Sequence, residues 1–405
     1  MNRTLLIVGA GLESIPGIIL AKKLGLEVVV SDSDTNAPGI DKADYFIKAS
    51  TYDVQKTLKE ANKFNKYIKK IHGVMCIASD VPLTVSKTAK SLNLPYINIG
   101  SAKLASDKLA MKECFKKNGI NTPWFSEVNS FDELNKIAAS SEQPLIIKPN
   151  DSRGSRGVIR LIEGIDLNWA YNYAKNYSPT NRIIVESFLD GPQISTESMI
   201  INGIAYTPGF SDRNYEFIEK YSPHIIENGG QLPPKIDIDQ KNEIENLIQK
   251  TADSLSIKNG VLKGDIVIHK NEPYIIEVAL RLSGGYFCSH EIPLNTGVDL
   301  VGAAILQCLG EKINPDDLKP KFNKPVAQRY LFLKPGKVKC ISIPQWIKDD
   351  PEVCFFENRI QVGDIIEPIE NHPKRSGVVI TTGKNLDTAV AKAKNVISSI
   401  EVSII

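Results

Sequence analysis

Two acidic residues lie where a hairpin would bring their carboxylates together. The segment GDIVIHKNEPYIIEVALR is predicted to form two strands, and a three-residue loop at Lys270–Glu272 places Asp265 directly opposite Glu277. Residues opposed in this way have Cβ atoms about 4.5–5.5 Å apart, where two carboxylates repel each other. A cation relieves that repulsion, and Mg²⁺ is commonly held by one or two carboxylates together with nucleotide phosphates. The pair therefore predicts a Mg²⁺ site; for Glu277 and Arg281, four residues apart on one strand face, a surface strand with a salt-bridged pair is the alternative.

The strand that carries Glu277 alternates between apolar residues and residues with chemical functions. Side chains alternate between the two faces of a strand, so one apolar face is predicted for Tyr274, Ile276, Val278 and Leu280. On the other face Arg281 follows Glu277 by four residues, which suits a metal ion and a phosphate. The segment Ser283-Gly284-Gly285 comes next and allows an anion to approach the backbone closely.

A second group of residues is suited to phosphate binding. Lys148 lies at the end of a predicted strand, and the loop Asp151–Val158 leads into another strand, so the loop closes a hairpin and is not a P-loop. Glycine backbone N–H groups can approach phosphate oxygens, and here a hydroxyl and a positive charge accompany them. The loop residues concerned are Gly154, Ser155, Arg156 and Gly157. A flexible, solvated hairpin is the alternative.

The first glycine turn of the chain suggests a different function. The segment Gly9–Ser14 follows a predicted strand and Asp32 lies at the end of the next one, as in a dinucleotide-binding fingerprint. However, the third fingerprint position holds Ser14, where the fingerprint has Gly or Ala. Small residues also allow a tight strand–helix turn to close. We therefore interpret the turn as structural or as part of a substrate loop, with NAD binding as the alternative.

The order of elements indicates an α/β region followed by an α+β region. Residues 1–100 alternate between strands and helices, which predicts a small doubly wound domain. Its strands are predicted at residues 4–8, 27–34, 73–78 and 96–99, and its helices at residues 15–24 and 83–92. A helix capped by Ser106-Asp107 then runs to Asn118.

From about residue 120 the strands are predicted to form antiparallel pairs. The pairs are PLIIKP with GVIRLI, RIIVESFL with ISTESMII, and VLKGDIVIH with PYIIEVAL. Helices are predicted near residues 168–177 and 239–255. Residues 326–405 hold short strands and a final helix whose apolar residues recur at helical spacing.

Composition argues against several functions. The net charge is +2, so no strong field attracts DNA or anionic lipid, and neither nucleic acid nor a membrane is expected as a partner. The six cysteines have no C-x-x-C spacing, which argues against zinc and thioredoxin-like sites. The chain has neither a signal-peptide pattern nor an apolar run of about 18 residues. We therefore expect a cytoplasmic protein.

Taken in order, these motifs resemble the ATP-grasp superfamily, in particular its carboxylate–amine ligase branch, which includes L-amino acid ligases. They are the N-terminal α/β domain, a helix opening with Asp107-Lys108, the strand IIKP, the loop GSRGV, the hinge strand VESFLDGP and the pattern E-x-x-x-R-x-x-G-G. The resemblance implies an ATP-grasp fold, mixed α/β and α+β, with a Rossmann-like domain at residues 1–105. It places the central region at 106–325, with a lid at about 121–190, and a C-terminal α+β region at 326–405.

The resemblance also implies roles for individual residues. Lys108 and Lys148 would contact the phosphates of ATP, together with the loop residues Ser155, Arg156 and Gly157. The hinge would bind adenine, largely through backbone groups of Glu186, Ser187, Phe188 and Leu189. Asp265 and Glu277 would hold Mg²⁺, for which Mn²⁺ could substitute. Arg281 would steady the transferred phosphoryl group and the substrate carboxylate.

Two positions depart from the family pattern. Gln193 stands where the family usually has a ribose-binding Glu, and since an amide can still bond a hydroxyl, weakened ribose recognition is expected. Ala279 replaces the Asn of the metal strand. A second Mg²⁺ would therefore depend on Glu277, phosphate and water.

The reaction implied by the resemblance is formation of an amide through an acyl phosphate, giving ADP and phosphate. The substrate carboxylate is expected at Arg281 and Ser283-Gly284-Gly285 because an arginine fork matches a carboxylate in two parallel hydrogen bonds. Arg213 is a second candidate for this contact, with a surface salt bridge as the alternative. His224 is expected at a substrate wall, with a hydrogen-bonded structural role as the alternative.

The expected partners are small-molecule acids and amines, amino acids among them, and a second copy of the chain in a homodimer. Three other functions remain open. One is another ATP-grasp reaction, such as the carboxylation-type steps of purine synthesis. The second is an NAD-dependent oxidoreductase, and the third is a nucleotide-binding regulator without chemistry.

Overall fold

The computed structural model describes residues 3–405, and its N-terminal part is built on a parallel sheet. The elements are β1 (Thr4–Val8), α1 (Ile15–Lys23), β2 (Glu27–Asp32), β3 (Tyr45–Lys48), α2 (Val54–Tyr67), β4 (Gly73–Met75), α3 (Pro82–Ser91), α4 (Ile99–Leu104) and α5 (Lys108–Lys117). The strand order is β3-β2-β1-β4, with every neighbouring pair parallel. Strand β1 is wholly buried, as its run of apolar residues predicts.

The strand predicted at residues 96–99 is wrong. Helix α4 begins at Ile99, and the Asn98 side chain caps it by accepting a hydrogen bond of 2.7 Å from the Gly100 N–H. Asparagine is among the preferred N-cap residues because its short side chain satisfies an unpaired helix N–H. The four-residue segment therefore leads into a helix, and the sheet has four strands without it.

The lid is a separate four-stranded sheet with two helices. Its elements are β5 (Phe125–Val128), α6 (Phe131–Ser140), β6 (Leu145–Pro149), β7 (Ile159–Leu161), α7 (Leu167–Asn176) and β8 (Ile183–Ser187). The order is β5-β8-β6-β7 and all pairs are antiparallel. The predicted hairpin of PLIIKP with GVIRLI is confirmed, and the loop between β6 and β7 carries the glycine segment.

The largest sheet has eight antiparallel strands in the order β13-β12-β9-β10-β11-β14-β18-β16. The elements after the lid are β9 (Gln193–Ile201), β10 (Ile204–Arg213), β11 (Gly230–Leu232), α8 (Ile238–Ser254), β12 (Gly260–His269), β13 (Glu272–Ala279), α9 (Ile292–Thr296), α10 (Leu300–Cys308), β14 (Val326–Leu331), β15 (Gly336–Ser342), α11 (Trp346–Asp349), β16 (Val353–Asn358), β17 (Ile365–Ile366), β18 (Gly377–Thr382), α12 (Leu386–Ser399) and β19 (Glu401–Ile404). Strands β17, β15 and β19 form a small third sheet beside it.

The predicted pairing of RIIVESFL with ISTESMII is wrong. Strand β8 pairs with β5 and β6 in the lid, whereas β9 pairs with β10 and β12 in the large sheet. The chain crosses between the two sheets at Gly191, whose φ is +133°. The short hinge between β8 and β9 thus separates two sheets and does not close a hairpin.

The hairpin of β12 and β13 places Asp265 opposite Glu277, as predicted, although by a different route. The loop has two residues, Lys270 and Asn271, both with positive φ, so the predicted three-residue loop is wrong. A β-bulge between Asp265 and Ile266 restores the register, because one extra residue in β13 shifts the pairing by one position.

The bulge also changes which residues of β13 face the core. Ile275, Val278 and Leu280 are buried in one cluster beneath helix α8. Tyr274 and Ile276 are only partly buried, so the continuous apolar face predicted for them is wrong. Strict alternation fails here because side chains on the two sides of a bulge no longer share the same parity.

The N-terminal domain meets the end of β13 directly. Ile77, just past β4, forms a parallel bridge with Leu282, and the Ala78 N–H donates to the Leu282 carbonyl at 3.0 Å. The residues after β4 and the residues after β13 therefore lie side by side. Within residues 3–405, no helix combines the length and apolar character that crossing a membrane requires.

We predict that Gly191→Ala destabilises the protein by roughly 2–4 kcal/mol. A Cβ atom at this position would lie 2.0 Å from the Ile268 carbonyl oxygen, in addition to the strain at φ +133°. Gly164→Ala is the matched control, because Gly164 also has positive φ (+75°) but a Cβ there meets no atom within 4 Å. Denaturant unfolding of the two variants should show a clearly larger loss for Gly191→Ala, and equal losses would contradict the close approach.

Candidate active site

A cavity of about 1030 Å³ lies where the N-terminal domain, the lid and the large sheet meet. Its wall includes the turn Gly11–Ser14, the lid loop and the C-terminal segment His372–Ser376. A smaller pocket of about 140 Å³ adjoins it and is lined by Lys148, Gln193 and the hinge residues Glu186–Leu189. The two spaces share part of their walls, namely Lys108, Ser152, Arg153, Gly154, Ser155, Arg156, Arg213, Asp265, Glu277 and His372.

Asp265 lies at this junction and is held by two cations. The Arg213 Nη1 atom lies 2.6 Å from one carboxylate oxygen, and the Lys263 ammonium contacts the other. The Ser195 hydroxyl also donates to Asp265, at 3.2 Å. Burial alone would raise the pKa of Asp265, but Arg213 and Lys263 outweigh it and hold the pKa well below its usual range. Asp265 is therefore ionised although it is only 5% exposed.

Glu277 is more open to the cavity. Its side chain is 38% exposed, and its Oε2 atom lies 3.5 Å from the Lys108 Nζ atom. Desolvation raises the pKa of Glu277, but Lys108 and Lys148 outweigh that effect and keep the pKa below its ordinary value. Both members of the pair thus carry negative charge, which the hairpin places together as the sequence predicted.

The acid pair suits a metal that takes most of its ligands from elsewhere. In the described part of the chain no group of three or more His, Cys, Asp or Glu residues is arranged to hold a metal ion. Asp265 and Glu277 supply hard oxygen ligands, and Mg²⁺ typically combines one or two carboxylates with substrate phosphates and water. Ala279 provides no oxygen from its side chain, so the donor set fits one Mg²⁺ shared with a nucleotide better than a closed protein cage.

The glycine loop between β6 and β7 is docked in this structure. Gly157 has φ +73°, and a Cβ atom there would lie 2.7 Å from Pro149 and 2.8 Å from Tyr177, so the close approach requires glycine. The Ser155 hydroxyl donates to the Ile225 carbonyl at 2.7 Å. The Gly154 carbonyl accepts from the His372 N–H at 3.1 Å. The loop thus closes over the junction of the two pockets.

Two buried lysines share one hinge carboxylate. The Glu186 Oε1 atom lies 2.7 Å from Lys148 Nζ and 3.3 Å from Lys112 Nζ. Lys112 is fully buried and also donates to the Thr122 hydroxyl at 2.9 Å. Burial lowers the pKa of Lys112 to about 8, against the attraction of Glu186. The Glu186 side chain therefore fixes Lys148 in the wall of the smaller pocket.

Two backbone N–H groups of the hinge form hydrogen bonds within the lid. The Ser187 N–H donates to the Trp124 carbonyl at 2.9 Å, and the Phe188 N–H donates to the Pro144 carbonyl at 2.7 Å. These two N–H groups are therefore engaged within the protein. Leu189 and Gln193 line the same pocket beyond them, next to Val267 and Ile276.

Arg281 faces the larger cavity but its guanidinium is paired. Its Nε and Nη2 atoms lie 2.7 and 3.0 Å from the two carboxylate oxygens of Asp80, which follows β4 in the N-terminal domain. Burial would raise the pKa of Asp80, but the Arg281 charge lowers it, so both groups remain ionised. A carboxylate of the protein thus occupies the fork where the sequence predicted a substrate carboxylate.

The segment after Arg281 also has protein partners. Ser283 bonds Glu197 through its N–H, at 2.7 Å, and through its hydroxyl. The Gly285 N–H donates to Glu13 at 2.9 Å. Gly284 lies so close that a Cβ atom there would be 2.5 Å from the Glu13 carboxylate. An anion was predicted to approach the backbone of these glycines. In this structure the anion that does so is the Glu13 carboxylate, from the first glycine turn.

The first glycine turn is held by Asp32 in a structural manner. The Asp32 carboxylate accepts a hydrogen bond of 3.0 Å from the Ala10 N–H, within the turn itself. The same turn brings Glu13 to Gly285. One oxygen of the Glu13 carboxylate accepts from the Gly285 N–H, and the other lies 3.3 Å from the Arg359 guanidinium. This arrangement agrees with the interpretation of the turn as structural or as part of a substrate loop.

Arg213 and His224 differ in their placement. Arg213 lies in the cavity wall, and its guanidinium forms salt bridges with Asp265 and Glu227, as the alternative predicted, although they are buried and not on the surface. The predicted substrate contact of His224 is not supported, since its ring packs against Trp169 and Tyr173 of α7 and does not line the cavity. The isolated bridge of His224 to Ile159 holds it beside the lid.

Several charged residues of the site were missed from the sequence. Lys263 precedes Asp265 by two residues, so strand periodicity already placed both side chains on one face. Asp80 follows a strand of a parallel sheet, where functional residues often lie. No comparable signal was available for the three other residues, Glu13, Lys112 and Arg359.

Comparison with known proteins reveals two matching families. Residues 105–285 match the family described as ATP-grasp domain, and residues 329–404 match L-amino acid ligase C-terminal domain 2. Among curated proteins, D-alanine--D-alanine ligase of Bordetella avium is 23% identical over 199 residues, which cover 46% of this chain and 60% of that protein. This chain therefore spans less than two thirds of that relative.

Solved structures share the whole fold at low sequence identity. The L-amino acid ligase of Bacillus licheniformis has a TM-score of 0.81 at 19% identity, covering 100% of this chain and 99% of that one. The phosphoribosylglycinamide synthetase of Anaerococcus prevotii has a TM-score of 0.77 at 21% identity, with full coverage of both chains. At this level of identity the likeness establishes the fold.

We predict that Lys148→Ala lowers ATP affinity by roughly 10–100-fold, because hydrogen bonds to charged groups contribute about 1.5–3 kcal/mol. Isothermal titration with ATP and Mg²⁺ measures the loss. Lys136→Ala is the matched control, since Lys136 is exposed on α6 away from both pockets. Unchanged ATP binding by a folded Lys148→Ala protein would show that this lysine does not contact the nucleotide.

Proposed function

Because this chain belongs to the ATP-grasp superfamily, we propose that it joins a carboxylate to an amine with the consumption of ATP. The acid would be activated as an acyl phosphate, and ADP and phosphate would be the other products. The observation that carries this proposal is the ionised pair Asp265 and Glu277, which lies where the two pockets meet and where Arg281 shares the same cavity.

The nucleotide is assigned to the smaller pocket and its opening. Adenine would lie against Leu189 and the rest of the hinge, and Gln193 would bond the ribose. The phosphates would extend toward Lys108 and Lys148 beneath the glycine loop, with Ser155, Arg156 and Gly157 around them. The short distances that link Lys148, Glu186 and Lys112 support this direction, because they fix a cation at the inner end of the phosphate path.

The metal is assigned to the acid pair. Asp265 and Glu277 would hold Mg²⁺, with Mn²⁺ as a substitute, and the ion would neutralise charge on the phosphates when bound. Arg213 and Lys263 keep Asp265 ionised, which a metal ligand requires. Since Ala279 offers no side-chain oxygen, a second ion would depend on Glu277, phosphate and water.

The acid substrate is assigned to Arg281. In this structure the Asp80 carboxylate matches the guanidinium fork as a substrate carboxylate would. The acid can bind at the Nε and Nη2 atoms of Arg281 only if Asp80 moves away. The Asp80 carboxylate would then be replaced by the carboxylate of the substrate. Arg281 would then steady the carboxylate beside the terminal phosphate, since positioning and electrostatic stabilisation account for most of the catalysis of phosphoryl transfer.

The acyl phosphate must be kept from water until the amine attacks. The loop Asp151–Val158 already contacts Ile225 and His372 on opposite walls of the cavity, which suits a lid that closes over the intermediate. Asp151 anchors the base of the loop through Ser178 and Thr180, each at 2.7 Å. The loop can therefore move about a fixed base.

Amino acids are the proposed substrates, and the chain is proposed to act as a homodimer. The match of residues 329–404 to an L-amino acid ligase domain supports amide formation over carboxylation. Bicarbonate is itself a small carboxylate, however, and the purine-synthesis type of reaction would use it in place of an organic acid. The choice of acid is therefore what an experiment must resolve.

We predict that pools of amino acids with ATP and Mg²⁺ release phosphate only when both an acid and an amine are present, and that mass spectrometry finds the amide. Glu277→Gln should lower turnover by at least about 100-fold because it removes one charge of the metal pair. Glu243→Gln, an exposed residue of α8, is the matched control and should retain wild-type activity.

Two outcomes would contradict the proposal. Phosphate release that requires bicarbonate, and no organic acid, would assign the chain to a carboxylation-type reaction. Tight ATP binding without turnover in any pool would indicate a nucleotide-binding protein that does no chemistry.

A further inference from the structure

Glu291 is a buried carboxylate in the wall of the larger cavity. It ends the π-helical turn Phe287–Glu291, which follows the glycine pair, and it is only 3% exposed. Its Oε2 atom is fully buried, and within residues 3–405 it has no hydrogen-bond partner. An ionised carboxylate in this state is strongly destabilised, because no donor in the described chain pairs with that buried oxygen.

The other buried acids of the described chain are all compensated. Glu186 contacts two lysines, Glu197 accepts two hydrogen bonds from Ser283, and Asp265 pairs with Arg213 and Lys263. Glu291 has no ion pair with any residue from 3 to 405. It therefore differs from the acids that hold the fold together.

The charged neighbours of Glu291 pair mainly with other groups. Arg329 lies near enough to affect it, but its Nη1 atom donates to the carbonyls of Gly230 and Gln328, at 3.0 and 2.7 Å, and its buried Nε atom lies 3.6 Å from Glu216 and makes no hydrogen bond with any residue that the structure describes. Glu227, which also lies near, is paired with Arg213. Burial, reinforced by Glu227, raises the pKa of Glu291 to about 8, and Arg329 offsets this only in part.

The missing partner must be a hydrogen-bond donor that enters the cavity. A carboxylate or phosphate group would be repelled by Glu291 and by Glu227 behind it. A metal ion held by Glu291 and Glu227 would have to displace Arg213, which already pairs with Glu227. An amine satisfies both requirements, because it donates hydrogen bonds and its protonated form carries a positive charge.

We propose that Glu291 receives the amine substrate and takes a proton from it before the amine attacks the acyl phosphate. This inference rests on the function proposed above and names the residue that serves its second half-reaction. An ammonium ion has no free electron pair and cannot attack a carbonyl carbon. The enzyme must therefore remove one proton after the amine has entered the cavity.

The step balances in protons and electrons. One ammonium proton moves to the Glu291 carboxylate, and the freed nitrogen electron pair forms the C–N bond with the acyl carbon. The C–O bond to the phosphate breaks, and phosphate leaves with that electron pair. The nitrogen then loses its second proton to the departing phosphate, which gives a neutral amide. The ammonium charge favours the ionised carboxylate when the amine enters, and the raised pKa of the buried carboxyl then favours transfer of the proton to it.

The test compares two nucleophiles in Glu291→Gln, a substitution that preserves shape and removes the proton acceptor. Hydroxylamine is uncharged at neutral pH, so it traps the acyl phosphate as a hydroxamate without needing a base. We expect Glu291→Gln to form hydroxamate from the amino acid pool as the wild type does, and to form amide at least about 100-fold more slowly. Glu243→Gln should retain both activities.

The outcomes separate this inference from the proposed function. Amide formation at the wild-type rate by Glu291→Gln would overturn the role of Glu291 and leave the ligase reaction intact. Equal loss of hydroxamate and amide would also overturn it, because Glu291 would then act before the amine. A wild-type protein that forms no hydroxamate from any acid would refute the ligase function, and the inference with it. A melting temperature of Glu291→Gln at or above that of the wild type is expected, since the substitution removes a buried ionisable group that has no ion pair within residues 3–405.

Discussion

The ion pairs of Asp265 determine how the rest of the site is arranged. A carboxylate that is 5% exposed stays ionised only because Arg213 and Lys263 contact it from two sides. Arg213 in turn pairs with Glu227, which ties strand β10 and the loop before β11 to strand β12. Without these cations the carboxylate would take up a proton, and the pair with Glu277 could not attract a metal ion.

Ion pairs also connect the N-terminal domain to the other walls of the cavity. Asp80 and Glu13 come from two strand-end loops of the parallel sheet and meet Arg281, Arg359 and the Gly285 N–H. These groups are all of the kind that would bind a charged substrate. In this structure these groups are therefore satisfied by one another.

The opposition of the two acids could be predicted from the sequence because that contact is local. Asp265 and Glu277 lie in one hairpin, and their opposition is confirmed even though the loop is one residue shorter than predicted and a bulge compensates. The Asp80–Arg281 pair and the Lys112–Glu186 pair join distant segments, so no spacing rule reveals them. His224 was assigned to the substrate wall from its neighbours in sequence, but the chain turns its ring toward the aromatic residues of the lid.

The formation of an acyl phosphate is the central chemical claim, and oxygen transfer tests it most directly. An acid substrate labelled with ¹⁸O in its carboxylate would be incubated with the protein, ATP, Mg²⁺ and an amine, and the phosphate analysed by mass spectrometry. Since the acid oxygen becomes the bridge of the acyl phosphate, the account predicts one ¹⁸O atom in each phosphate released. Unlabelled phosphate accompanying amide formation would contradict it, because ATP would then have been cleaved without phosphorylating the acid.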